Sequence, residues 1–374
     1  LIRKQVSKIS NIAFLNNSGA GDYGGVEKWI FKISKALQEK GHQPFIIARD
    51  KSLLLQKAKQ EGFNYKMISK IGSSTFVNPL RVLKLFNYLK ENKIDALFFC
   101  SSPTFKFGSV AAKLAGVNNI IYRRGSAIPI KDKFYNKYLM NNYITTFISN
   151  SKATKEKSLK YLNDFENEKV ELIYNGVDID KFGDVELETN IRKEFNISND
   201  KLVIVNVGRL HKQKGQNYLI EAVNKLKSKL NEFVVLLVGE GPMEDTLKNK
   251  VKELNLEEYI IFTGFRNDIA SILKQADFMT HTALWEGCPW VVLEALAAGL
   301  PVVATDSSSL PEIISNGENG YLAQDQNAND IAQKMLKMCT KTDIKLLGKN
   351  AKKIAQDRFS FDRVVTQTEE CILK

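Results

Sequence analysis

Cysteine is scarce in this 374-residue chain: Cys100, Cys288, Cys339 and Cys371 lie far apart, with no CxxC pair. Histidine is scarcer, with only His42, His211 and His281 and no metal-ligand spacing among them. These shortages disfavour a disulfide framework and a zinc cage, and make a reducing cytoplasm the default expectation. Long apolar runs are missing as well. The nearest, within LWEGCPWVVLEALAAGLPVVAT (284 to 305), is broken by Glu294, Gly299 and Pro301, so no membrane-spanning helix is expected. The opening LIRKQVSKIS is basic without a following signal-type core, and export is not expected.

Acidic residues are depleted from one half only. Residues 1 to 150 hold 24 Lys and Arg against 8 Asp and Glu, in a chain whose net charge is +12, so the remainder is net negative. Such a field marks either an anionic partner, such as phospholipid headgroups, a phosphorylated acceptor or nucleic acid, or a solvated lysine-rich surface. In KWIFKISKALQEK (28 to 40) the second reading has support: Trp29, Ile30, Ile33, Ala36 and Leu37 form an apolar stripe that leaves the lysines outward. Aromatics are not interleaved with the basic residues as stacking platforms, which argues against nucleic acid. With 44% hydrophobic and 26% charged residues the chain is globular by composition and long enough for two domains.

What is present is alternation. Candidate strands are NIAFLN (11 to 16), QPFIIA (43 to 48), ALFFC (96 to 100), NNIIYR (118 to 123), TTFIS (145 to 149) and KVELIY (169 to 174). A second series runs KLVIVNV (201 to 207), EFVVLLV (232 to 238), YIIF (259 to 262), DFMTHT (277 to 282) and PVVAT (301 to 305). Amphipathic helical patterns such as QNYLIEAVNKLKSKL (216 to 230) and MEDTLKNKVKELN (243 to 255) fill the gaps. This pattern predicts an α/β fold of two Rossmann-like parallel-sheet domains, residues 1 to 180 and 181 to 360, facing each other across a cleft. The predicted boundary is the Asp-, Gly- and Asn-rich NGVDIDKFGDVELETN (175 to 190).

Nearly every unusual polar or glycine-rich segment follows a predicted strand: SGAGDYGGVE (18 to 27), RRGS (123 to 126), GRLHKQKG (208 to 215), GEGP (239 to 242), TGFRND (263 to 268), ALWEGCP (283 to 289) and TDSSSLPE (305 to 312). In open α/β sheets these positions form the crevice where ligands bind. Two carboxylates sit in the most apolar of these regions. Pro289 suits a helix start, WVVLEALAA continues it, Gly299 ends it and Pro301 opens a strand. Glu286 then precedes the helix and Glu294 lies inside it. The helix amino terminus suits a phosphate; alternatively, Glu286 caps backbone amides and Glu294 pairs with a lysine. Arg209 and Lys214, in GRLHKQKG, add a planar fork and a point charge able to converge on a diphosphate.

Taken in order, GGVEKW, YNGVD, VGRLHKQKG, VGEGP, TGFRND, EGCPWVVLEALAAGLPVVAT, LPEII and NGENGYL resemble the signature series of the retaining glycosyltransferases of family four, which have the GT-B fold. The resemblance runs from about residue 19 to 322 and implies transfer of a sugar from a nucleoside-diphosphate sugar to an acceptor. It implies that Arg209 and Lys214 clamp the diphosphate, that Glu286 stands beside the donor sugar, and that Glu294 accepts the ribose hydroxyls. Gly287, Cys288, Pro289 and Trp290 match the backbone contacting sugar and phosphate. Gly239 falls in the donor-side VGEGP motif, and Phe265 and Arg266 match the position flanking the nucleobase. Gly24 and Gly25 match the first-domain loop that approaches phosphates and acceptor. The last helix, about 361 to 374, is implied to cross back to the first domain.

The chemistry agrees with those roles. Negative charge builds on a departing diphosphate, where fixed cations and helix N–H groups stabilise it, so no metal and no separate cofactor is expected. The resemblance further implies retention, with cell-envelope or lipid-linked glycans such as lipopolysaccharide, O-antigen or capsule as the expected products, and peripheral contact with an anionic membrane at the cytosolic face.

Departures from the family pattern stand at YRRGS, where Arg123 and Arg124 replace a neutral or acidic group. They bind an acceptor phosphate, assist the leaving diphosphate, or form a surface ion pair. Cys288 and Trp290 are read as pocket shape, and His211 as loop scaffolding. Two other functions fit the fold: a nucleotide-sugar epimerase, which needs acid/base groups absent here, and a non-catalytic protein binding nucleotide sugars or anionic surfaces. The sequence leaves the nucleotide, the sugar, the acceptor and the oligomeric state open.

Overall fold

The short apolar runs become strands of two all-parallel sheets in the computed structural model, which describes residues 9–162, 164–183 and 186–374. The basic opening residues 1 to 8, and Asp184 and Val185 of the expected boundary segment, lie outside the described residues. The first sheet contains β1 (Asn11–Leu15), β2 (Gln43–Arg49), β3 (Asn64–Ile68), β4 (Ala96–Phe99), β5 (Asn119–Arg124), β6 (Thr146–Ser149) and β7 (Val170–Leu172), in the order β3-β2-β1-β4-β5-β6-β7. The second contains β8 (Leu202–Val207), β9 (Phe233–Val238), β10 (Ile260–Gly264), β11 (Phe278–His281), β12 (Val302–Thr305) and β13 (Gly320–Ala323), in the order β10-β9-β8-β11-β12-β13. Each is a doubly wound sheet whose order reverses once, beside its first strand.

The chain divides into two units, one holding residues up to Tyr174 together with Val364–Lys374, the other Asn175–Arg363. Each has its own apolar core. In the first, Phe14 of β1 and Phe98 of β4 stack with centroids 5.0 Å apart, and Trp29 closes on both. Such pairs add about 0.5–1.5 kcal/mol each beyond area burial. Trp29 belongs to the helix Gly25–Glu39, which buries Trp29, Ile30, Ile33 and Leu37 and leaves Lys28 and Lys35 exposed. From Val364 onward the final helix, Phe361–Leu373, belongs to the same unit. Asn119 Nδ2 donates to the Ile372 carbonyl at 2.7 Å, and Glu369 meets His42 Nε2 at 3.1 Å and Lys40 Nζ at 2.5 Å.

Two strands escaped the sequence reading, β3 and β13. β3 is an edge strand with exposed residues and no apolar run, and β13 has only four residues and begins at glycine. Among the described residues no helix is long and apolar enough to cross a membrane.

Candidate active site

In the second sheet the order reverses between β8 and β11, so the loops leaving these adjacent strands part and open a crevice at their carboxyl ends. The loop after β8 carries GRLHKQKG and that after β11 carries TALWEGCP. They are stitched together. Leu284 N donates to the Gln213 carbonyl at 2.8 Å, Thr282 Oγ1 to the Lys214 carbonyl at 3.0 Å, and Gln213 Nε2 to the Trp285 carbonyl at 2.8 Å. His211 Nδ1 accepts from Gln213 N at 3.2 Å, capping the 3₁₀ turn Lys212–Lys214.

Glycine makes this approach possible. At Gly215, φ is +63° and a Cβ would lie 2.1 Å from the Thr282 carbonyl oxygen. Gly239, with φ +132°, packs its α-carbon against the Gly208 carbonyl, 2.3 Å from where a Cβ would stand. What the structure gives for Gly239 is this packing, which sets the loop bearing Arg209.

The stitched loops bring Lys214 and Glu286 together, the Lys214 ammonium bonding Glu286 Oε1. Both side chains are largely buried, at 19% and 12% exposure. Beneath them His281, the last residue of β11, is 2% exposed, with Nε2 3.7 Å from the same Glu286 oxygen. Burial disfavours the Glu286 carboxylate, but His281 and Lys214 outweigh it and hold its pKa at about 2. Burial lowers the His281 pKa, and the Lys214 charge lowers it further against the pull of Glu286. The resting site is therefore a Lys⁺/Glu⁻ pair over a neutral imidazole. Arg209 is exposed on the same loop, and its guanidinium has no hydrogen-bond or ion-pair partner among the described residues.

Pro289 is the N-cap of the helix Trp290–Ala297, whose first turn has no side-chain cap and no acidic residue. Its amino-terminal N–H groups follow directly on Gly287 and Cys288, both buried. The Cys288 carbonyl accepts from Asn175 Nδ2 at 2.6 Å, which pins the turn. Glu294 lies one turn inside, half-buried. After β10, Phe265 is 67% exposed and its N–H reaches Glu240 Oε1 at 3.2 Å. Arg266 is committed elsewhere: its guanidinium forks onto Asp268 (2.8 and 2.7 Å) and onto Glu194. The Arg266 guanidinium beside Asp268 depresses that carboxyl to about 2.

In the first unit, Gly24 and Gly25 begin the 15-residue helix Gly25–Glu39, and Glu27 Oε2 takes the Gly24 N–H at 2.9 Å. Arg123 and Arg124 end β5 and are 2% and 6% exposed, so the surface ion pair is overturned. They are strand residues drawn into the sheet's carboxyl end. Arg123 lies 4.0 Å over the Trp29 ring and beside Cys100, whose thiol burial pushes up to about 11 against the pull of both arginines. Arg124 donates to Tyr122 Oη at 3.1 Å and the Ile128 carbonyl at 2.6 Å, while its Nε is buried with no hydrogen-bond partner among the described residues.

The sequence reading missed His281, Gln213 and Thr282. A histidine ending a fully buried strand was the available signal for the first; the other two act through backbone contacts that only the fold creates.

Two doubly wound sheets, one with paired cationic and acidic groups at its switch point, define the class of α/β proteins that bind ligands at the carboxyl ends of their strands. Family comparison narrows it. Residues 188–356 match the family described as Glycosyl transferases group 1, and residues 23–181 match Glycosyltransferase Family 4. The chain is 25% identical over 301 residues to the UDP-Gal:alpha-D-GlcNAc-diphosphoundecaprenol alpha-1,3-galactosyltransferase of Escherichia coli, covering 77% of this chain and 78% of that protein. It is 28% identical over 380 residues to the N,N'-diacetylbacillosaminyl-diphospho-undecaprenol alpha-1,3-N-acetylgalactosaminyltransferase of Campylobacter jejuni, covering 94% of each. Its fold is similar to that of Anabaena HepE, crystallised with UDP, at a TM-score of 0.82 and 23% identity over 96% of this chain and 98% of that one. The chain belongs to the family-four glycosyltransferases of GT-B fold.

Proposed function

We propose that this glycosyltransferase takes its sugar from a nucleoside-diphosphate donor held at the β8/β11 crevice and passes it, with retention of anomeric configuration, to a glycan or lipid-linked acceptor. The observation that carries this reading is the Lys214–Glu286 pair beside the outward guanidinium of Arg209. Arg209 grips the diphosphate, Lys214 turns from Glu286 to the same oxygens, and the uncapped helix at Trp290 supplies N–H groups. Negative charge growing on the departing diphosphate then meets two cations and a helix dipole, each such donor being worth about 10²–10³ in rate. No metal and no separate cofactor enters the scheme.

Glu286 accepts from the donor sugar hydroxyls, and Glu294 from the ribose. Phe265 covers the base, while Arg266 braces its loop. Gly287, Cys288, Pro289 and Trp290 line the sugar and phosphate positions, with Gly239 holding the loop behind them. Gly24, Gly25, Arg123 and Arg124 serve the acceptor side, where two arginines in a net-positive half favour an anionic substrate. Acceptors on diphosphoundecaprenol named for the relatives, and the UDP in HepE, support a lipid-linked acceptor and a nucleotide donor. Peripheral contact with anionic membrane follows from the same charge.

A melting screen against UDP, GDP, ADP and their sugars identifies the donor, since a ligand stabilises in proportion to its affinity. Anomeric NMR of the product then tests the stereochemistry. A retained configuration is expected; an inverted one, or no nucleotide raising the melting temperature, rejects the reading.

A further inference from the structure

The proposed diphosphate clamp leaves a problem at Glu286. Its carboxylate is largely buried, and at rest Lys214 is its hydrogen-bonded partner. If Lys214 turns to the diphosphate, a desolvated carboxylate loses that bond just as it must stay ionised to receive the sugar hydroxyls. Removing one partner of a buried charge pair is strongly destabilising unless another group replaces it.

A replacement lies directly underneath. His281 is 2% exposed, its Nε2 has no hydrogen-bond partner among the described residues, and that nitrogen stands 3.7 Å from Glu286 Oε1. The gap is less than one ångström beyond hydrogen-bond reach. The titratable groups facing the imidazole are Glu286, from its own loop, and Lys214, from the loop after β8. A buried nitrogen without a partner is costly, and such cases call for an explanation.

We propose that His281 is the reserve partner of Glu286: it waits unbonded while Lys214 holds the carboxylate, and donates Nε2–H to Glu286 when Lys214 leaves for the donor diphosphate. The imidazole remains neutral throughout, and no proton is transferred. His281 is thus a positioning residue, acting on the sugar through Glu286. The proposal rests on the diphosphate reading above. It accounts for a buried imidazole nitrogen without a partner at the end of β11, and for a carboxylate that stays charged in both states of the site.

The chain has only three histidines, so imidazole ¹⁵N-labelled protein gives a spectrum in which His281→Gln identifies the signal by its loss. Three samples decide the matter: wild type, wild type saturated with UDP, and Lys214→Ala without ligand. The His281 Nε2–H signal is expected to move downfield and exchange more slowly with UDP, and to show the same change in Lys214→Ala alone, where no nucleotide is needed. An unchanged His281 signal in Lys214→Ala overturns the proposal. UDP binding to Lys214→Ala as tightly as to wild type defeats the diphosphate reading instead, whatever His281 does. In steady state, His281→Leu should move the acid limb of kcat upward more than that of kcat/KM, because Lys214 still guards Glu286 in the free enzyme. His281→Gln, which keeps an N–H donor, should restore the profile; equal profiles for Leu and Gln would reduce His281 to packing.

Discussion

At the scale of single residues, the site is governed by how charge is held away from water. Glu286 is depressed from an ordinary value of 4.5 to about 2, so its contribution to stability is complete above about pH 4.5 and is lost as pH falls toward 2. Lys214→Met removes the hydrogen-bonded cation, lifts that pKa, and is expected to move acid unfolding to higher pH in a circular-dichroism titration. Asp268 follows the same sign with the same limit of about 2. Arg266→Ala strips the charge-assisted forks onto Asp268 and Glu194 and should cost about 2 kcal/mol in urea unfolding at neutral pH. That loss is expected whether or not a nucleotide is bound, which separates bracing from base contact. Arg209, Lys214 and Glu286 were legible in the sequence because unusual polar residues followed predicted strands. The Arg266 forks and the depth of Arg123 and Arg124 were not, since spacing says nothing about which carboxylate a guanidinium reaches.

At the scale of elements, periodicity resolved the buried strands and the long helices because their apolar runs are unambiguous. It failed at β3, whose residues face solvent at the sheet edge, and at β13, whose Gly-Tyr-Leu-Ala opens on glycine and has no β-branched residue. Glycines carry more of the site than sequence reading assigned them. Gly215→Ala places a methyl against the Thr282 carbonyl at a left-handed backbone position and should lower the melting temperature by roughly 5–10 °C. Gly62 provides the control, with φ +73° and no atom within 4 Å of the place a methyl would occupy. Its alanine variant carries only the backbone strain, about 1 kcal/mol, and should melt closer to wild type. Equal shifts in the two variants would show that the loop contact contributes nothing.

At the scale of the whole molecule, each unit folds around its own parallel sheet, and the charge is divided unevenly between the two ends of the sequence. A basic half in an enzyme whose relatives are named for diphosphoundecaprenol acceptors is expected to float with vesicles containing anionic lipid and to remain behind with zwitterionic ones, the difference fading as salt rises. The catalytic proposal rests on the other half, and calorimetric titration of the stabilising nucleotide diphosphate into wild type and into an Arg209→Ala, Lys214→Ala double variant tests it most directly. Loss of two charge-assisted contacts should weaken Kd at least about a hundredfold. An unchanged Kd in the double variant would contradict it.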